Sequence, residues 1–181
     1  MKPILVTGAT GFLGKHLVEQ LLRNGAGPVR VLCRGEGLAG TELVRGDITI
    51  ASDVERAVSG VRQIYHLAGL VSRNPADTPK MKQIHVEGTR LVCEAALRQG
   101  VERVVLASSS GTVAVSREPV EHDERSGYKA DVAKNWGYYV TKIEQEMLAL
   151  RFHRERGLPL LSVNPSLLLG PGDDRAPPPA M

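Results

Sequence analysis

The sequence predicts an α/β fold, a doubly wound parallel sheet of about six strands with helices on both faces. Two features of the pattern carry that prediction. Short apolar runs alternate with longer amphipathic stretches along the chain, as in a parallel sheet covered by helices. A glycine triplet, Gly8, Gly11 and Gly14, stands where the first apolar run gives way to the first amphipathic stretch. In chain order, residues 3–7 read as the first strand and 12–24 as a helix with Leu13, Leu17, Leu21 and Leu22 on one face. Asn24-Gly25 closes that helix, since glycine accepts the left-handed cap conformation. Residues 29–33 form the second strand and 42–45 a short third. Ser52, with Glu55 three residues on, has the form of a capping box opening a helix through Val58. The fourth strand spans 61–67. A long helix over 78–98 ends at Gln99-Gly100, and 103–107 is the fifth strand. The polar stretch 111–135 reads as a loop, 137–156 as a helix ended by Gly157, and 159–163 as the sixth strand. Right-handed crossovers join them.

Length and composition fit one globular domain over 1–169 and a proline-rich tail over 170–181, disordered or loosely laid on the surface. A net charge of +3 with interspersed signs, and aromatics at 4%, do not make a nucleic-acid partner. No apolar run approaches the roughly 18 residues that span a bilayer. Residues 1–14 run straight into a strand and a glycine turn without the apolar stretch of a signal peptide, so a cytoplasmic protein without membrane contact is expected. Cys33 and Cys93 lie in apolar segments and read as two buried, reduced thiols. The five histidines show no metal-ligand spacing, and no metal is expected.

The glycine turn suits a phosphate group. Gly8 permits the tight turn, Gly11 admits a pyrophosphate close to the backbone, and Gly14 allows close packing of helix on strand. N–H groups at the helix start then face the phosphates, which makes Gly8, Thr10, Gly11, Phe12, Leu13 and Gly14 candidate cofactor-binding residues. A plain strand-to-helix turn would account for the glycines alone. Farther on, Tyr138 and Lys142 stand four apart on a predicted helix and so share a face. A lysine ammonium one turn away favours a phenolate and is expected to bring the tyrosine down toward neutral pH. Ser108, Ser109 and Ser110 close the fifth strand, where ordinary turn chemistry would account for them.

These motifs together resemble the extended and atypical short-chain dehydrogenase/reductase superfamily, the NAD-dependent epimerase/dehydratase family, over nearly the whole chain. The run Trp136 to Lys142 is most similar to its dihydroflavonol-reductase-like and 3β-hydroxysteroid-dehydrogenase-like members. The resemblance implies a Rossmann-like sheet and a catalytic Ser109, Tyr138 and Lys142, with Ser109 taken from the family's register and Lys142 also holding a ribose. It implies cofactor contacts at Asp47 and Ile48 (adenine), at Leu67, Ala68 and Gly69, at Tyr138 and Lys142, and at Asn164, Pro165 and Ser166. Val86-Glu87-Gly88-Thr89 matches the family's fourth-helix motif, but His85 stands where the family keeps asparagine. The activity implied is hydride transfer to or from a ketone or secondary alcohol. The alternatives are a sugar-nucleotide epimerase and a non-catalytic dinucleotide-binding module. Gly111-Thr112, where dehydratases carry acids, disfavours a dehydratase. At the end of the second strand Cys33 replaces the acid of an NAD enzyme and Arg34 follows, so the expected cofactor is NADP, with NAD as the alternative. The expected partners are a small-molecule substrate and a second copy, forming a homodimer through helices 78–98 and 137–156. Family members are longer, adding a C-terminal substrate lobe, so this chain is expected to be an incomplete catalyst by itself.

Overall fold

A computed structural model describes residues 1–173. Six parallel strands form one sheet: β1 (Ile4–Thr7), β2 (Val29–Cys33), β3 (Glu42–Arg45), β4 (Gln63–His66), β5 (Arg103–Ala107) and β6 (Leu160–Val163). Their order is β3-β2-β1-β4-β5-β6, so the chain reverses direction across the sheet between β1 and β4. That reversal opens a crevice at the C-terminal ends of those two strands. In register, Thr7 lies beside Leu32 on one side and His66 on the other.

Alternation along the strands builds a core on each face. Ile4, Val6, Val29 and Val31 pack with Val18 and Leu21 of α1 (Phe12–Arg23). Leu5, Ile64, Val104 and Leu106 face the other way. They meet α2 (Ala51–Val58), α4 (Gly88–Gln99) and α6 (Gly137–Arg156) through Val54, Val92, Ala96, Ala149 and Phe152. Helices therefore cover both faces, three on one and α1 on the other. The β2–β3 connection contributes no helix. At the sheet edge, Leu161 and Val163 of β6 stay exposed.

Several local expectations need correction. Ser52 does not cap α2, which begins at Ala51 after an extended Ile50 without a side-chain cap. Asp53 organises that end instead, accepting the backbone N–H of Asp47 at 2.8 Å. The predicted helix over 78–98 is two helices, α3 (Thr78–Lys82) and α4, joined by a π-helical turn at Gln83–Glu87. The loop 111–135 contains α5 (Ala130–Ala133), and a 3₁₀ turn at Ser110–Thr112 opens it. β4 is three residues shorter than expected. Cys93 is buried, and burial pushes its thiol up to about 12. Cys33 is only half-buried, because β2 ends there and its Sγ turns to the Glu36 carbonyl at 3.3 Å. The start of the expected tail touches α1, with His16 Nε2 3.0 Å from the Pro171 carbonyl oxygen; residues 174–181 lie outside the described residues.

Candidate functional site

The crevice between β1 and β4 holds a groove of about 250 Å³ under the glycine turn. Gly8 has φ +71°, and a Cβ there would sit 2.7 Å from the Ala68 nitrogen and the Leu67 carbonyl. The turn is therefore pressed backbone-to-backbone onto the loop after β4. A Cβ on Gly14 would overlap the Gly8 carbonyl and lie 2.7 Å from Ala9 Cα, so α1 starts hard against the turn. Gly11 caps α1 without a side chain, leaving the first N–H groups of the helix open to the groove side.

Nine of the expected cofactor residues line this groove: Gly8, Thr10, Gly11, Arg34, Asp47, Ile48, Leu67, Ala68 and Gly69. Leu32, Cys33, Gly46 and Ile84 join them without having been singled out as contacts in the sequence. Phe12, Leu13 and Gly14 form the first turn of α1 and do not line the groove. The Arg34 guanidinium lies 3.8 Å from Asp47 and is largely exposed. Asp47 keeps one oxygen on the Thr49 N–H and hydroxyl, at 2.9 and 2.8 Å.

From the turn, a chain of side chains runs inward to the helix α6. Thr7 Oγ1 and His66 Nδ1 are 2.7 Å apart, and His66 Nε2 lies 2.9 Å from Thr89 Oγ1. Thr89 accepts from Gln145 Nε2 at 2.7 Å, and Gln145 Oε1 accepts from the Lys142 ammonium. Lys142 is 4% exposed and also donates to the Ala107 carbonyl at 2.7 Å. Burial lowers its pKa to about 8, with the nearby Glu146 carboxylate acting the other way.

Tyr138 stands one turn before Lys142, with Ser109 near enough to influence its phenol. Its phenol is pushed up, not down as the spacing suggested. Burial raises it, Ser109 opposes this, and Tyr139 adds to the rise. The Lys142 ammonium gives its hydrogen bonds to Ala107 and Gln145 rather than to the phenol. The three serines separate cleanly: Ser108 donates to Glu146, Ser109 meets Tyr138, and the Ser110 N–H donates to the Pro165 carbonyl at 2.9 Å.

His85, in the π turn, ties this end together. The Leu70 N–H donates to its Nε2 at 3.0 Å, so that nitrogen is bare and Nδ1 carries the proton. Nδ1 then donates to Thr141 Oγ1 at 2.9 Å, and the Thr141 hydroxyl turns back to the Gly137 and Tyr138 carbonyls. The His85 ring meets Tyr138 edge-on, with centroids 5.9 Å apart. The structure does not bring Asn164 to the groove. Its Nδ2 is spent on the Ser109 carbonyl, Thr112 Oγ1 and Glu146 at 3.2, 2.9 and 2.8 Å, and Pro165 and Ser166 also lie off the groove lining.

Glu146 was invisible in the sequence reading. Buried one turn beyond Lys142, it accepts from Ser108, Thr112, Asn164 and Tyr128. The available signal was its spacing: Tyr138, Lys142 and Glu146 recur every four residues on one face of α6. Among the described residues no group of histidine, cysteine and carboxylate side chains could hold a metal, and no helix is long and apolar enough to cross a membrane.

The profile of the NAD dependent epimerase/dehydratase family matches residues 4–180. The chain belongs to that family. Sterol demethylase protein B of Methylococcus capsulatus is 33% identical over 94% of this chain and 53% of its own length. Cinnamoyl-CoA reductase 1 of Oryza sativa subsp. japonica is 34% identical over 93% of this chain and 54% of its own. Among solved structures, MoeE5 in complex with UDP-glucose and NAD is 31% identical with a TM-score of 0.73, covering 88% of this chain and 52% of MoeE5. DesIV, a dTDP-glucose 4,6-dehydratase from Streptomyces venezuelae with NAD bound, is 28% identical with a TM-score of 0.77, covering 88% of this chain and 54% of DesIV. The chain spans about half the length of the relatives it matches.

The buried histidines of this family member contribute to its sensitivity to acid. Burial lowers both His66 and His85 to about 3, with the Lys142 charge adding to the effect. Unfolded, each titrates near 6.5. Between pH 6.5 and 3 the unfolded chain binds more protons than the folded one, so stability falls as pH falls through that window. Urea unfolding at pH 7, 5.5 and 4.5 should show this loss, and His66→Gln/His85→Gln should flatten its pH dependence. An unchanged pH slope in that double variant would contradict the assignment.

Proposed function

We propose that the chain forms the cofactor-binding and catalytic half of an NADP(H)-dependent oxidoreductase that interconverts a ketone and a secondary alcohol. The observation that carries this reading is Tyr138 one helical turn before buried Lys142, with Ser109 close enough to act on its phenol, near the glycine-turn groove. The groove suits a dinucleotide, because Gly8 and Gly11 present bare backbone and the start of α1 has no side-chain cap. Gly8, Thr10 and Gly11 would hold the pyrophosphate, Asp47 and Ile48 the adenine, and Ala68 and Gly69 the nicotinamide side. When bound, the dinucleotide supplies or takes up the hydride.

The chain's own residues handle the substrate oxygen. A phenol pushed up by burial is protonated at neutral pH, so Tyr138 is poised to give its proton to a carbonyl oxygen. Ser109 orients and polarises that oxygen from the other side. Two of the three Lys142 N–H groups are engaged by Ala107 and Gln145, and the third is available to a ribose hydroxyl. An epimerase would use the same residues, and the likeness to the UDP-glucose 4-epimerase of Thermus thermophilus in complex with NAD supports it as the second reading.

Tyr138→Phe should abolish NADPH-dependent reduction across a panel of ketones while leaving the cofactor Kd within a few-fold. Most of the activity surviving would remove Tyr138 from the role. UDP-sugar interconversion without ketone reduction would support the epimerase instead.

Cofactor choice rests on the end of β2. Cys33 lines the groove there in place of an acid, so nothing repels a ribose phosphate. Among the described residues Arg34 is held only by the long contact to Asp47, which leaves its guanidinium able to take a phosphate with two parallel hydrogen bonds. Such bonds are worth up to about 1.5–3 kcal/mol, less at an exposed arginine, so about tenfold in Kd is expected. NADPH should bind about tenfold tighter than NADH, and Arg34→Ala should erase the difference. Equal affinities in the unmodified protein would exclude this role for Arg34.

A further inference from the structure

Beside the groove, a cavity of about 690 Å³ opens on the Tyr138 side of the site. Its wall is apolar and aromatic. Trp136, Tyr139 and Tyr138 form a continuous ring surface, with successive centroids 5.3 and 5.5 Å apart. Val71, Met81 and Leu167 fill in around them. The polar side chains facing the cavity from the loop after β4 are already committed to their own turn. Ser72 Oγ donates to Asp77 at 2.6 Å and accepts the Asn74 N–H at 3.1 Å, and Asn74 Oδ1 accepts the Ala76 N–H at 3.1 Å. Arg73 is different: it lines the cavity, is exposed, and makes no ion pair among the described residues. Among the described residues no carboxylate lines the cavity.

We infer that this cavity takes the substrate of the proposed oxidoreductase, that the substrate's ring system is apolar, and that it carries an anionic group bound by Arg73. The inference rests on the oxidoreductase reading and narrows it to an aryl or alicyclic ketone bearing a carboxylate-like group. A hexose brings several hydroxyl groups, and each one buried without a partner is costly. Here Tyr138 serves the reacting oxygen, and among the described residues the wall adds only scattered polar tips, the Asn135 amide, the Asn74 NH₂, the Tyr139 hydroxyl and the Trp136 indole N–H. An aromatic ring instead finds flat partners in Trp136 and Tyr139. At the cavity wall, a guanidinium presents paired N–H donors that match a carboxylate. The bare charge of Arg73 thus selects an anion, while the wall selects what the anion is attached to.

Trp136 is the only tryptophan of the chain, so its indole N–H gives one assignable NMR signal inside the cavity. The probe is 4-oxo-4-phenylbutanoate, an aryl ketone with a carboxylate; its neutral counterpart is butyrophenone, and UDP-glucose is the competing chemistry. The acid should shift the indole signal saturably, and butyrophenone should bind at least tenfold more weakly. Arg73→Gln, a change at an exposed side chain, should bring the acid down to the affinity of the neutral ketone without changing the cofactor Kd. No shift with the acid, a shift with UDP-glucose at equal or lower concentration, or an acid affinity unchanged by Arg73→Gln would each overturn the inference. Cofactor titration followed at groove residues separates the two levels. Absence of cofactor binding overturns the oxidoreductase reading even where the indole responds, whereas cofactor binding with a silent indole removes the substrate inference alone.

Discussion

A buried ammonium group sets the terms for the site. Lys142 lies inside the C-terminal edge of the sheet, and a charge so placed is tolerable only when its donors are met. The Ala107 carbonyl meets one and Gln145 another, and the Glu146 carboxylate stands close enough to favour the charged form. Each partner is then constrained in turn. Gln145 must keep its oxygen toward Lys142, so its NH₂ points at Thr89. Thr89 in turn meets His66, and His66 meets Thr7 at the root of the glycine turn. One polar thread therefore runs from α6 through α4 and β4 to β1, and the groove and Tyr138 are positioned by the same set of bonds.

Glu146 extends this logic to the loops. A buried carboxylate accepting from Ser108, Thr112, Asn164 and Tyr128 fixes the segment after β5, the segment after β6 and the long loop between β5 and α6. Ser109 is carried by that scaffold, with its carbonyl held by Thr112 at 2.8 Å and by Asn164. A half-satisfied network of this kind would be worse than an apolar core. Here the connected partners make the position of Ser109 relative to Tyr138 a consequence of buried bonding rather than of loop conformation. His85 does the same from the opposite side, locking the loop after β4 to Thr141 between the two principal residues of α6.

Much of the fold was legible because apolar periodicity reports the core. The bounds of β2, β3 and β5 and the glycine-closed ends of α4 and α6 follow directly from the sequence. The Tyr138 and Lys142 pair was legible as spacing, and the glycine turn as a triplet. The polar interior was not. The buried face of α6 presents Thr141, Lys142, Gln145 and Glu146, residue types that a hydrophobicity pattern assigns to solvent. The direction of the Tyr138 shift was misjudged for the same reason: spacing places Lys142 on the right face but does not show where its hydrogen bonds go. Ser52 failed as a cap because Asp53, one residue on, reaches back to the chain at Asp47.

The most direct measurement is the titration of Lys142 itself, followed through the ¹³Cε signals of a lysine-labelled protein with Lys142→Met providing the assignment. With the ammonium buried on Ala107 and Gln145, its midpoint should lie near 8, well below the ordinary lysine value of about 10.4. A midpoint at the ordinary value would place Lys142 in solvent and contradict the buried network on which the site depends.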